Sequence, residues 1–195
     1  GEAVGYLANI AFKLNAVLVH YSTDYVFDGT KKEGYGEADA PNPVNAYGRS
    51  KLEGASRVRS SELRDWYIIR TAWLYGKDGK NFVETMLGLA EKGQPIKVID
   101  DQVGSPTYAV DLAQATRELV ESKKPSGIYH LTNAEQTSWH GFAKEIFTVF
   151  EKQVDLSPCA SSEYPLPAKR PAFSVLQSTK LEPMRSWQEA LKAYK

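Results

Sequence analysis

Two side chains four positions apart, Tyr47 and Lys51, offer the most specific chemistry in this sequence. On a helix, that spacing puts a phenol and an ammonium on one face. A free tyrosine ionises near pH ~10, and a fixed positive charge nearby favours its phenolate. Such a pair can exchange a proton with a substrate oxygen near neutral pH. Surface helices also carry tyrosine and lysine at this spacing with no chemistry attached, so the pair alone does not decide the matter. A second group of polar side chains lies upstream, where the apolar run AVLVHY stops at Ser22, Thr23, Asp24 and Tyr25. In open parallel sheets, ligands bind beyond the carboxyl ends of strands, where this hydroxyl-rich corner falls.

The elements that must hold these groups follow from periodicity and punctuation. Residues 2 to 14 place Val4, Leu7, Ala8, Ala11 and Leu14 on one helical face, and residues 16 to 21 read as a short buried strand. Gly29, Gly34 and Gly36 mark a surface loop, and Pro41 and Pro43 exclude helix until about Val44. The next helix then runs through Tyr47, Lys51, Leu52, Ala55 and Val58. Trp66 to Gly76 reads as one buried strand with Trp73 near its carboxyl end, where core filling and a role in the site are both open. Residues 81 to 92 predict an amphipathic helix with Phe82, Met86, Leu89 and Ala90 inward. Further strands are expected at 96 to 100 and 127 to 133. A helix over 110 to 122 would use Ala113, Thr116, Leu119 and Val120 as its face. Thr137 or Ser138 can cap a helix whose stripe of Trp139, Phe142, Ala143, Ile146 and Phe150 reads as core. Residues 156 to 171 look irregular, and Ser186 with Glu189 has capping-box spacing for a last helix. Strands alternating with helices predict the α/β class with a parallel sheet.

Composition excludes several functions. The 195 residues suit one domain with a core, or one domain and a small appendage. Lys plus Arg and Asp plus Glu both total 24, so no global field recruits nucleic acid. No apolar run approaches the ~20 residues of a membrane span, and no signal-peptide pattern is seen, so a cytoplasmic protein without a membrane partner is expected. The single cysteine, Cys159, reads as an ordinary thiol. His20, His130 and His140 lack the paired spacing of a zinc site, so no metal site is expected from them.

Three motifs in order carry a family resemblance: STDYVFDG at 22 to 29, YGRSK at 47 to 51 and RTAWLYG at 70 to 76. It continues through NFVETML, DDQVGSPTY and ASSEYPLPAKRP, covering nearly the whole chain. The sequence resembles the extended short-chain dehydrogenase/reductase superfamily and, within it, the dTDP-4-dehydrorhamnose reductases. The resemblance implies a Rossmann-like doubly wound parallel sheet with its N-terminal part missing, plus a small C-terminal substrate-binding α/β region. On this reading residues 1 to 76 are the remainder of the dinucleotide-binding domain, and 77 to 195 are mainly the substrate-binding region, with segments returning to the first.

The implied reaction is reduction of the 4-keto group of dTDP-4-dehydro-6-deoxy-L-mannose to dTDP-L-rhamnose by NADPH or NADH. Tyr47 would protonate the developing alkoxide, Lys51 would favour the phenolate and hold the nicotinamide ribose, and Thr23 would hydrogen-bond the same oxygen. Ser22, Tyr47 and Lys51 are the expected cofactor contacts. Thr23, Asp24, Trp73 and, by a looser inference, Asn81, Lys169 and Arg170 are the expected substrate contacts. Sugar-nucleotide 4,6-dehydratases follow the threonine with Asp-Glu, whereas Asp24 here is followed by Tyr25. The Ser-Ser-Ala corner of hexose 4-epimerases is also absent.

A strand, glycine-rich turn and helix that receive a pyrophosphate are not found. The family's first third carries that motif, so the expectation is that the chain corresponds to the C-terminal two-thirds of a reductase, inactive in isolation. The strands at 16 to 21 and 67 to 74 would then lack partners, leaving an apolar edge for self-association or for a separate N-terminal segment. NADH and NADPH are not distinguished, and the Mg2+ held by some relatives has no mappable ligand set here. The alternatives are another nucleotide-sugar reductase or epimerase, or a non-catalytic binding subunit like the β subunits of methionine adenosyltransferase.

Overall fold

A computed structural model describes residues Gly1 to Lys195. Helix α1 (Glu2–Lys13) leads into β1 (Leu18–Thr23), which ends in a 3-10 turn over Asp24–Val26. Helix α2 (Ala46–Arg59) returns to β2 (Trp66–Thr71), and a break at Ala72 and Trp73 separates this strand from β3 (Leu74–Tyr75). There follow α3 (Phe82–Ala90), β4 (Ile96–Ile99), β5 (Val103–Gly104), β6 (Thr107–Tyr108) and α4 (Ala109–Glu121). The chain closes with β7 (Gly127–His130), β8 (Thr137–Ser138), α5 (Trp139–Val149), β9 (Leu156–Cys159) and α6 (Trp187–Tyr194).

The main sheet is parallel, in the order β1-β2-β7, with Thr23 beside Thr71 and Arg70 beside His130. Pleating sends alternate residues to opposite faces. Ile68 packs with Ala55 and Val58 of α2 and is flanked by Val4 of α1. Tyr67, Ile69 and Tyr129 pack with Leu112 and Leu119 of α4. Helices therefore cover both faces, as a doubly wound Rossmann-like sheet requires. A second core gathers Tyr75, Val83, Met86, Val98, Phe142 and Leu191 from the downstream elements. No helix is long and apolar enough to cross a membrane.

The structure departs from the sequence reading in four places. The strand expected to run from Trp66 to Gly76 is two strands, because Trp73 takes a left-handed conformation at φ 46° that no β-ladder accommodates. Leu156–Cys159, read as irregular, pairs in parallel with β4 despite Pro158. Strand β2 is not left without a partner: it has β1 on one side and β7 on the other, so the open edges of this sheet belong to β7 and, at the opposite end, to β1. Beside that edge, α1 buries Ala8 and Ala11 but exposes Leu7 and Leu14, which periodicity had placed inward, together with Tyr6 and Ile10. Fully burying one such large side chain is worth about 1.5–3 kcal/mol, so this apolar face forgoes several kcal/mol as it stands.

Candidate active site

Three polypeptide segments meet at the carboxyl end of the sheet. Thr23 is the last residue of β1, and its Oγ1 caps the following turn by accepting from the Tyr25 amide at 3.2 Å. The same hydroxyl donates to Asp24 Oδ1 at 2.9 Å, while Ser174 Oγ donates to Asp24 Oδ2 at 2.5 Å. Asp24 is only 2% exposed. Burial pushes its carboxyl up to about 6, with the hydrogen bonds from Ser174, Thr23 and the local backbone opposing. Asp24 therefore faces the protein, and Thr23 must turn its hydroxyl away from Asp24 before it can donate to a substrate oxygen.

Helix α2 brings the second segment. Asn45 caps it, accepting from the Gly48 amide at 2.8 Å, and uses its own amide to donate to the Lys169 carbonyl at 2.8 Å. One residue thus fixes the start of the helix and ties the 169–170 segment to it. Gly48 lets the helix approach the 3-10 turn: a Cβ there would lie 2.0 Å from the Tyr25 carbonyl oxygen. Tyr47, next to it, is 54% exposed and meets Tyr25 edge to face at 5.9 Å between centroids. One turn on, Lys51 Nζ donates to the Tyr21 carbonyl of β1 at 2.6 Å, and burial lowers its pKa. The ammonium is thereby held against the strand that ends in Thr23. His20 on that strand is pushed down to about 4, first by burial and then by Lys51, so it is neutral at pH 7 and adds no charge. Ser22 is buried with an unpartnered hydroxyl.

The third segment is the break after β2. Trp73 stacks on Trp139 at the start of α5, with centroids 3.5 Å apart and planes 9° from parallel, and Phe82 packs against Trp139 at 4.6 Å. Gly104 makes room for the shelf, since a Cβ there would approach Trp73 to 2.6 Å. Left-handed backbone at a tryptophan costs on the order of 1–3 kcal/mol and persists only where its surroundings impose it. Trp139 and Phe82 also line a largely apolar cleft of about 270 Å³ with Met86, Tyr164 and Arg170. Arg170 lies close enough to Tyr25 to favour its phenolate, although burial and Asp24 together raise the Tyr25 pKa. The cleft and the Tyr25/Tyr47 corner are therefore neighbours.

The remaining residues singled out from the sequence are placed differently. Asn81 caps α3, accepting from the Glu84 amide at 3.1 Å, and its side-chain amide donates to the carbonyls of Gly76 and Gly79 at 2.8 and 3.2 Å. Its polar atoms are committed to the loop. Lys169 is exposed and enters the assembly through its backbone carbonyl. A cavity of about 650 Å³ opens beside Asn133 and Gln177 and contains none of Thr23, Tyr47, Lys51 or Trp73. Sequence reasoning missed Ser174, Asn45 and the half-buried ring of Trp139. The apolar stripe that contains Trp139 gave a correct core for Phe142, Ala143 and Ile146 but hid its outward edge.

Comparison with known proteins shows the family of the chain. The family model described as RmlD substrate binding domain matches residues 1 to 195. A dTDP-4-dehydrorhamnose reductase of Burkholderia thailandensis is 44% identical over 93% of this chain and 66% of its own length. The spore coat polysaccharide biosynthesis protein SpsK of Bacillus subtilis is 42% identical over 100% of this chain and 69% of its own. The structure superposes with a TM-score of 0.93 on the dTDP-4-dehydrorhamnose reductase of Bacillus anthracis, solved in complex with NADP. That match is 39% identical and covers 98% of this chain and 69% of the other. The chain thus spans about two thirds of the length of these relatives.

Proposed function

The chain belongs to the RmlD substrate binding domain family, and from that premise we propose that it carries the proton-transfer and sugar-binding half of a dTDP-4-dehydrorhamnose reductase. The reaction is reduction of the 4-keto group of dTDP-4-dehydro-6-deoxy-L-mannose. A reduced nicotinamide cofactor, NADPH or NADH, supplies the hydride when bound. Residues 1 to 76 together with β7 form the cofactor side, and most of 77 to 195 forms the substrate side.

The observation that supports this reading is that Lys51 is bonded to β1 itself while Tyr47 packs on Tyr25 of the turn that Thr23 caps. An exposed phenol on the helix that carries a tethered ammonium can give a proton to an alkoxide as it forms. Thr23, released from Asp24, donates to the same oxygen and holds it while charge develops. The residues fit a nicotinamide ribose at this place, since Lys51 keeps donor capacity beyond its one bond and Ser22 has a hydroxyl with no partner. Trp73, backed by Trp139, offers a rigid wall for the hexose. Arg170 and the aromatic cleft suit the nucleotide end, with the charge near the diphosphate and the rings near the base.

Titration with NADPH, followed by nicotinamide fluorescence, tests the cofactor side. It should be run on the chain and on the chain extended upstream to the length of its relatives. Binding that weakens in Lys51→Ala supports the reading; equal binding by wild type and Lys51→Ala refutes the placement of the ribose.

A further inference from the structure

Away from this corner, at the β7 edge of the sheet, a separate cavity of about 430 Å³ opens between the end of α2, strands β2 and β7, and the loop at Glu37 to Pro41. Its charged wall consists of Arg59, Arg70, Lys180, Glu37 and Asp39. The two carboxylates are already occupied. Glu37 accepts from the His130 amide at 3.2 Å and from the Thr179 amide and hydroxyl at 3.0 and 2.6 Å. Asp39 is paired with Lys31 at 2.7 Å and also accepts from the Gly36 amide.

The cations are not matched in the same way. Arg70 is 2% exposed and has no carboxylate on it. One guanidinium nitrogen meets His130 Nε2 at 3.2 Å, the plane lies 5.0 Å over the Phe27 ring, and Nε has no partner. His130 adds no negative charge to offset it. Its pKa is pushed down to about 4, by burial first and then by Arg70 itself. Glu37 attracts Arg70 without forming an ion pair, and burial first and then Arg59 still push the Arg70 pKa down to about 10, so desolvation of this guanidinium is only partly compensated. Arg59, the last residue of α2, forms no ion pair and adds a second charge to the same wall. Lys180 donates only to the Ile128 carbonyl, with its Nζ 5.0 Å over Tyr129, so two of its three donor positions are free.

We propose that this cavity binds a small phosphate-bearing anion at a second site, distinct from the nucleotide-sugar cleft. Two guanidiniums and an ammonium match the oxygens of a tetrahedral phosphate, and guanidiniums recognise phosphate in bidentate fashion. The volume exceeds that of the bare ion and falls within the range of small-molecule sites, leaving room for a small organic body against Trp66 and Ile128. The site lies on the far side of β2 from the free edge of β1, so it stays open whatever pairs with that edge.

Titration of the chain with inorganic phosphate, glycerol 3-phosphate and acetate, followed by the arginine Nε–H resonances in 1H–15N spectra, reads the site directly. The expected result is a saturable shift of the Arg70 Nε–H with either phosphate compound and none with acetate at equal ionic strength. Arg59→Ala should weaken binding about tenfold, the loss of one charge-assisted hydrogen bond. Lys180→Ala should weaken it as well, and Arg170→Ala should leave it unchanged. Tighter binding of glycerol 3-phosphate than of inorganic phosphate would identify a phosphorylated metabolite as the natural class; equal binding would identify the free ion. Absence of a saturable shift, an equal response to acetate, insensitivity to Arg59→Ala, or loss in Arg170→Ala would each overturn the proposal. The readout is independent of reductase activity, so its failure leaves the proposed function untouched.

Discussion

Replacing Asp24 by asparagine is expected to stabilise the protein at neutral pH. The carboxyl is almost fully buried, and its pKa rises from 3.8 to about 6 because burial disfavours the charge more than the Ser174 and Thr23 hydroxyls favour it. A folded-state pKa above the unfolded value means that the native state binds more protons between the two values. Stability therefore falls as pH rises from about 4 to about 6 and stays reduced above that. A shift of about two units, at about 1.4 kcal/mol each, sets a ceiling of about 3 kcal/mol on the penalty at pH 8. An asparagine has the same shape and no charge, and either hydroxyl can turn to accept from its amide, so the network survives the change. Asp24→Asn should raise the melting temperature at pH 8 by up to about 6–12 °C, and the gain should vanish near pH 4, where the native carboxyl is neutral too. Melting curves of both proteins from pH 4 to 8 measure this, with other titrating groups cancelling in the difference. A variant that melts lower at pH 8, or a difference that does not change with pH, would refute the account of Asp24 as a charge buried at a cost.

Other substitutions probe the parts that position the site. Gly48→Ala places a methyl carbon 2.0 Å from the Tyr25 carbonyl and forces α2 off the turn, which should cost about 1–3 kcal/mol or more in urea unfolding. An unchanged midpoint would mean that the helix does not sit this close. Trp139→Ala removes the ring stacked on Trp73 and should abolish the strong near-ultraviolet circular dichroism of a coupled tryptophan pair; a spectrum that keeps it would show that the rings do not stack in solution. Ser186→Ala takes the cap from α6, where the serine accepts from the Glu189 amide at 3.3 Å, and should cost about 1 kcal/mol, or about 2–4 °C in melting temperature.

Much of the fold was legible because its signals are local. The capping box at Ser186 and Glu189, the stripe of Phe142, Ala143 and Ile146, and the β-rich runs at 16 to 21 and onward from Trp66 each depend on neighbours within one or two turns. What stayed hidden depends on distant partners. Pairing of Leu156–Cys159 with β4 is set by a strand some sixty residues upstream and not by its own Pro- and Ser-rich composition. The break at Trp73 comes from packing against Trp139 and Gly104, which no propensity of Arg-Thr-Ala-Trp reveals.

The site divides in the same way. Tyr47 and Lys51 are visible as a spacing and Thr23 as part of a hydroxyl-rich corner after an apolar run, so a pattern finds them. Ser174 reaches Asp24 across 150 positions and Asn45 reaches Lys169 across 124, and neither contact leaves a mark in the local sequence. Asn81 shows the converse, a residue singled out by resemblance whose local role the sequence did not reveal. Its polar atoms hold the loop between Gly76 and α3.

The central claim is that Tyr47 delivers the proton in a nicotinamide-dependent ketone reduction. The direct measurement is the oxidation of NADPH driven by dTDP-4-dehydro-6-deoxy-L-mannose, comparing wild type with Tyr47→Phe in the chain extended to the length of its relatives. A fall of about 10²–10⁴-fold in turnover, with cofactor binding retained, is the predicted result. Turnover that survives the loss of the phenol would contradict the account and move the proton donor elsewhere.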